Sequence, residues 1–376
     1  MNNNFVIRLV IFQIIFFIIV AAGCTTTSMN SAGTPGDSGS TINSMTQAHI
    51  NPGAGWSPRY GQSSVVLPDG SIVLMGGSAL EKINNTRQFI DVNDVWRSTD
   101  NGATWVLMTA DAGWSPRYGQ ESIVTKDGRI VLIGYNHGIN DIWSSTDNGA
   151  TWEIMNSHAE WSTRSAESSV MLHDGTIILT GGSTVTNPHP PFNTCHNDVW
   201  RSTDNGVAWT RINPAAGWPG RAGHSNVVMP DGTIILIGGS VCGVGLVNDV
   251  WQSRDGGLTW NLVNASAGWQ PRVEFSAVVT KAGSIILMGG RDPYERNDVW
   301  RSNDEGATWT EVNASAGWSA RSGQSNVVTP DDKIIMMGGF TGELNLTRRV
   351  LNDVWESDDS GETWKMVKKE RLKISN

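Results

Sequence analysis

The chain has 376 residues, 39% of them hydrophobic and 17% charged, with a formal net charge of −9. That length accommodates one large domain or two ordinary ones and buries a substantial core. No basic run is present, which excludes an electrostatic footprint for nucleic acid. Regular apolar runs at low charge exclude global disorder. Tryptophan is the anomaly, with 18 copies against 4 of tyrosine.

Residues 1–23 read as a signal peptide: Arg8 supplies the positive end, and Leu9 to Gly23 is apolar but for Gln13. The stretch is short for a spanning helix, which needs about 20 apolar residues. It ends Val20-Ala21-Ala22-Gly23-Cys24. Small residues running into one Cys resemble the lipobox of prokaryotic lipoproteins, and the resemblance implies a lipid on Cys24. An uncleaved anchor is the alternative, and both readings place the rest of the chain outside the cytoplasm. Residues 24–44 are rich in Ser, Thr, Gly and Asn, the composition of a flexible tether. It would hold a domain roughly 25 Å from the bilayer. Cys195 and Cys242 remain as a pair, bridged or free.

From residue 45 to 369 the sequence repeats six times. One set of tryptophans follows Asn-Asp and Val or Ile: Trp96, Trp143, Trp200, Trp251, Trp300 and Trp355. A second set lies nine residues on: Trp105, Trp152, Trp209, Trp260, Trp309 and Trp364. A third lies nine further, at Trp114, Trp161, Trp218, Trp269 and Trp318, with Trp56 opening that set ahead of the first unit. Such a period signals a repeat architecture. Within a unit, Ser64–Leu67 is a short apolar run, Pro68-Asp69-Gly70 a hairpin turn, and Ser71–Met75 a second run closed by two glycines. Asp94–Ser98 and Thr104–Met108 read as third and fourth strands. A lone four-stranded sheet cannot bury two apolar faces, whereas six packed radially can. The expected fold is therefore all-β, a six-bladed β-propeller of four-stranded antiparallel blades, with 370–376 as a tail. Ring closure has two candidate fourth strands, around 47–52 and at 363–367.

Gly-Gly, a variable stretch, Asn-Asp-Val-Trp and a later Trp resemble the kelch repeat. Ser98-Thr99-Asp100-Asn101-Gly102-Ala103-Thr104-Trp105 is similar to the Asp-box of BNR repeats, and it recurs in all six units. Its aspartates, Asp100, Asp147, Asp204, Asp255, Asp304 and Asp359, read as turn caps rather than metal ligands. No metal or cofactor is expected.

Groups present in all six units are most simply scaffold, because a ligand without six-fold symmetry cannot use six equivalents. Arg59, Arg117, Arg164, Arg221, Arg272 and Arg321 each stand three residues after a third-set Trp. They either ring the channel mouth or pair with the Asp of Asn-Asp, and they enter as binding candidates. The repeat lapses three residues further on, at Gln62, Gln120, Glu167, His224, Phe275 and Gln324, with Glu121 and Glu274 beside them. These either line a solvated channel or form a site. The 2–3 loops diverge most. The first carries Glu81, Lys82, Arg87 and Phe89, the third His189 to Phe192 and His196, and the fifth Arg291, Asp292, Tyr294 and Arg296. Aromatics beside Arg are contact-surface material.

The expected function is a surface-tethered, monomeric module that binds a protein or glycan through its 2–3 and 4–1 loop face, and not an enzyme. The alternative is a glycan-active enzyme. Sialidases are six-bladed and carry Asp-boxes, but their F/Y-R-I-P motif is missing here. Kelch-type sialic-acid mutarotases keep an Arg/Glu channel site open as an expectation. A copper oxidase of the galactose-oxidase kind lacks a Tyr-rich constellation near either remaining Cys.

Overall fold

The chain divides into Met1–Thr46 and Gln47–Asn376. The computed structural model describes residues 54–84, 86–134, 140–185, 193–342 and 348–367, all in the second unit. The signal segment 1–23, Cys24, the tether 24–44 and the tail 370–376 lie outside the described residues, as do Tyr135 and the His189–Phe192 stretch.

Among the described residues the fold is six blades, each built on a four-stranded antiparallel meander, with a further two-stranded hairpin, Ser183–Val185 with Asn193–Cys195, in the 2–3 loop of blade 3. In blade 1 the strands are Ser63–Val66, Ile72–Met75, Val95–Ser98 and Val106–Thr109. Blade 2 begins at Glu121–Val124, blade 3 at Ser168–Met171, blade 4 at Ser225–Val228, blade 5 at Ser276–Val279 and blade 6 at Ser325–Val328. These six first strands touch one another in a closed ring around the axis. No helix occurs among the described residues.

The second strands explain the stacking. Ile72–Met75, Ile130–Ile133, Ile177–Thr180 and Ile285–Met288 are buried at every position, because a neighbouring blade covers each face. The apolar core is accordingly six clusters, one in each gap between blades, and each holds one third-set Trp. First-set tryptophans sit where the register of strands 3 and 4 slips, as at Val95/Trp96 and Val299/Trp300. Such a bulge bends the strand and re-aims a side chain.

The S-x-D-x-G-x-T-W hairpins cap the opposite face. Asp100 accepts bonds from the Thr104 amide (2.8 Å) and hydroxyl (2.6 Å), and the Trp105 indole donates to Gly102 O (3.0 Å). Asp147, Asp204, Asp255, Asp304 and Asp359 accept the corresponding amide, in blade 3 from Ala208.

Closure uses both ends of the repeat. Lys365–Met366 pairs with Trp355 and Glu356 as blade 6's own fourth strand, while 47–52 lies outside the described residues. Ala54 and Trp56 fill the cluster between blades 6 and 1, and Asn352 donates to Trp56 O (3.2 Å). Arg59–Tyr60 then pairs with Leu351 on one side and with Ser78 and Ala79 on the other. The long hairpins of blades 6 and 1 thereby join into one seven-stranded sheet.

Candidate functional site

The six repeated arginines do not ring the channel mouth, and as binding candidates they are corrected. Arg59, Arg117, Arg164, Arg221, Arg272 and Arg321 are 0–3% exposed. Each forms a bidentate pair with the Asp of its own blade's Asn-Asp, at N–O distances of 2.6–3.1 Å. Each also donates to the first glycine carbonyl after strand 2, at 2.9–3.2 Å. The same Asp accepts the first-set Trp indole, at 2.7–2.8 Å. Burial raises the pKa of Asp198, Asp249 and Asp298, but bonds from their arginines outweigh it and hold the carboxyls low. A planar five-donor fork suits this clasp, which a lysine could not copy.

Two residues after each Arg the chain turns through the left-handed region around the channel. Gly61, Gly119, Gly223 and Gly323 hold φ between 61° and 69°, and Ala166 (55°) and Glu274 (56°) take the same conformation without being glycine. Backbone bonds link neighbours here: Gly119 N to Gly61 O (2.7 Å), Gly61 N to Gly323 O (2.9 Å), Gly323 N to Glu274 O (2.9 Å) and Gly223 N to Ala166 O (2.8 Å). A non-glycine residue at such a position is strained by about 1–3 kcal/mol. Glu274 points to the mouth, where it accepts two bonds from Arg291 (2.9 and 2.8 Å) and one from Ser322 (3.1 Å).

One residue deeper, the amides of Gln62, Gln120 and Gln324 each donate to a carbonyl of the preceding blade: Met337 O (2.8 Å), Met75 O (2.9 Å) and Met288 O (3.0 Å). His224 fills this place in blade 4 and bonds Thr180 Oγ1 (2.9 Å). Burial, then the charge of Arg221, drive its pKa down to about 3, so the ring is uncharged at neutral pH. In blade 3 the place belongs to Glu167, which is 3% exposed. Neither carboxyl oxygen has a side-chain or neighbouring-blade donor. Its Oε1 lies beside Gly134, where Gln120, Gln324 and Gln62 bring Nε2 beside Gly76, Gly289 and Gly338.

Glu121 interrupts a second ring, whose other members are Ser63, Ser168, Ser225, Ser276 and Ser325. Burial first, then the Glu167 charge, push the Glu121 carboxyl up to about 8. Burial pushes Glu167 up to about 7, against the pull of its own backbone amide and Arg164. The channel therefore holds a pair of carboxyls that favour the neutral form, on adjacent blades 2 and 3. Among the described residues no group of three His, Cys, Asp or Glu is arranged to hold a metal.

On the loop face, Arg291 is tied to Glu274, and Arg296 donates to Asp292 (2.6 Å). Tyr294 between them is 58% exposed. Tyr60 gathers Phe89, Tyr118 and Phe340 at ring distances of 5.8–5.9 Å over the joined hairpins of blades 6 and 1. Cys195 and Cys242 form a disulfide with Cα atoms 5.7 Å apart, bracing blade 3 to blade 4 on this face.

Two features escaped the sequence reading. The aromatic group draws on blades 1, 2 and 6, so no local spacing reveals it. Glu160 carries the same signal as Glu167, a departure from the repeat: it stands where five other units have Gly.

Comparison with known proteins agrees with this architecture. A model described as the KLHDC2/KLHL20/DRC7 Kelch-repeats domain matches residues 183–375, and the DUF6242 β-propeller domain matches 70–212. No curated protein matches the sequence. A solved structure titled "Structure of YjhT" superposes with a TM-score of 0.59 at 14% identity, covering 82% of this chain and 97% of that one, a likeness of fold. With its family model spanning half of the sequence and its sheets closed in a ring, the chain belongs to the Kelch-repeat family of β-propellers.

Proposed function

We propose that this protein is an extracytoplasmic binding module, tethered by a lipid on Cys24, that holds a glycan or protein on its 2–3 and 4–1 loop face. The observation that carries this reading is an asymmetry between faces. The S-x-D-x-G-x-T-W face, which we read as Asp-box hairpins of the BNR kind, is built alike in all six blades. Divergence collects on the other face, where a disulfide and a shared sheet brace the hairpins. Binding residues commonly sit on loops held by a rigid scaffold.

A second reading, a glycan-active enzyme, is favoured by the Glu121 and Glu167 pair, since carboxyls shifted in pKa at a cavity are candidates for acid–base work. The purified protein probed on a glycan and protein array separates the two. Binding lost with Arg291, Tyr294 and Arg296 all changed to Ala, and kept with Glu121→Gln and Glu167→Gln, supports the module. Turnover of a glycoside lost with the glutamines reverses the ranking. For the tether, Cys24→Ser abolishes palmitate labelling; equal labelling of both proteins sinks it.

A further inference from the structure

Blade 3 breaks the six-fold pattern a second time, on its outer side. Gly55, Gly113, Gly217, Gly268 and Gly317 precede the third-set Trp of five units, and Glu160 precedes the sixth. Four of those glycines hold φ between 76° and 87°, and Glu160 does not. Ala208 also replaces the Thr that follows the Asp of every other S-x-D-x-G-x-T-W hairpin.

The packing answers both changes. Third-set and second-set Trp rings lie 6.0–6.1 Å apart in five units, whereas Trp161 and Trp209 close to 4.5 Å. Trp161 also meets Trp200, at 6.1 Å. Beside these rings opens a cleft of about 620 Å³, lined by Glu160, Ser162, His196, Arg211 and the paired Arg164 and Asp198. That volume falls in the range of small-ligand sites.

Its chemistry is specific. Glu160, which lines the cleft, accepts the Trp209 amide through Oε2 (3.2 Å). The Arg211 guanidinium lies over Trp200, 5.9 Å from the ring centroid. His196 shares a hydrogen bond with Thr184 Oγ1 (2.8 Å), and burial, then Arg164, lower its pKa, so it is neutral. Two carboxylates and two guanidinium groups then cancel. A phosphate or carboxylate ligand needs surplus positive charge, and an apolar one would strand these polar groups. A hydroxyl both donates and accepts, and a carboxylate beside a guanidinium fork serves both roles.

We propose that this blade 3 cleft is a subsite for an uncharged sugar unit of a glycan. The assignment rests on the binding-module reading and gives it a ligand class and a place.

The full-length protein in detergent is titrated calorimetrically with cellotriose, maltotriose, chitotriose and mannotriose, with sialyllactose and trigalacturonate as charged comparators. At least one neutral trisaccharide binds with a sub-millimolar Kd. Glu160→Gly, the residue of the other five units, weakens it at least tenfold with the melting temperature nearly unchanged, and Arg211→Ala does the same. Should Glu160→Gly misfold, Glu160→Gln, which keeps an acceptor for Trp209, still weakens binding. No neutral binding, tighter binding of the charged sugars, or identical affinity in all these variants overturns the subsite. Array binding that survives such a result and needs Arg291, Tyr294 and Arg296 leaves the module reading standing; no binding at all ends both.

Discussion

Arg164 and Glu167 enter the innermost strand of blade 3 three residues apart, each 3% exposed. Arg164 meets two oxygens of Asp198 and the carbonyl of Gly181, and an arginine clasp of this kind recurs in every blade. Glu167 meets no such partner and recurs nowhere. A buried charge that is fully paired can be copied round a ring, since each copy satisfies itself. A buried carboxyl that meets only its own backbone amide keeps its proton to a higher pH than an exposed one. Repetition thus marks scaffold, and its failure at Glu167 leaves a carboxyl whose pKa burial raises.

Breaking a clasp has the largest expected effect. Arg321 and Asp353 are both fully buried, so Arg321→Ala leaves an uncompensated carboxylate and lowers stability by about 3–5 kcal/mol. Urea unfolding monitored by Trp fluorescence reads this, and Arg321→Lys recovers only part of it. A change under 1 kcal/mol would show that the clasp is ornamental. The disulfide is a brace used once rather than six times. It spans a sequence separation of 47, and the chain-entropy model gives about 4 kcal/mol as its ceiling. Cys195→Ser with Cys242→Ser loses about 2–4 kcal/mol, with oxidised and reduced wild type bracketing the same difference.

The repeat made the fold legible. Tryptophans at fixed spacing, glycine turns and alternating strands recur with little change, and the sheets follow them from Ser63–Val66 to Lys365–Met366. The clasp was half legible: the arginines and the Asn-Asp aspartates were both visible, but 24–35 residues separate the partners, and spacing cannot tell a buried pair from a charged rim. The Glu121 and Glu167 pair was marked by its departure from pattern, while its protonation depends on burial that only packing supplies. The Tyr60 aromatic group stayed hidden because ring closure, not sequence proximity, assembles it.

The channel carboxyls sharpen the comparison through pH. Both folded pKa values stand above the ordinary glutamate value of 4.5, Glu167 at about 7 and Glu121 at about 8. The folded state then holds protons that the unfolded chain releases above about pH 4.5. Their stabilising contribution is complete below that pH and is lost as pH climbs to about 8, with a slope approaching 1.4 kcal/mol per unit for each group. Glu167 takes a glutamine's place, and only its protonated form can donate as the glutamines do. Glu167→Gln therefore flattens the profile, matching wild type at pH 5 and exceeding it by about 1 kcal/mol or more at pH 8.5. Parallel curves would mean that Glu167 is ionised throughout.

The smallest effect on stability belongs to the loop face, and there its smallness carries the information. Arg291 and Glu274 are 36% and 44% exposed, and Arg296 is 39% exposed beside Asp292. Ion pairs that open to water contribute about 0–1 kcal/mol each, and Tyr294 is mostly in solvent. Changing Arg291, Tyr294 and Arg296 together to Ala therefore removes about 1 kcal/mol or less. The clasps beneath, Arg272 with Asp298 and Arg321 with Asp353, keep the blade in place. Part of even that loss is offset, since Glu274 regains water once Arg291 is gone. A variant that melts with the wild type yet no longer holds the array ligand separates recognition from architecture. A variant that unfolds early would place this loop with the arginine clasps, as a structural element.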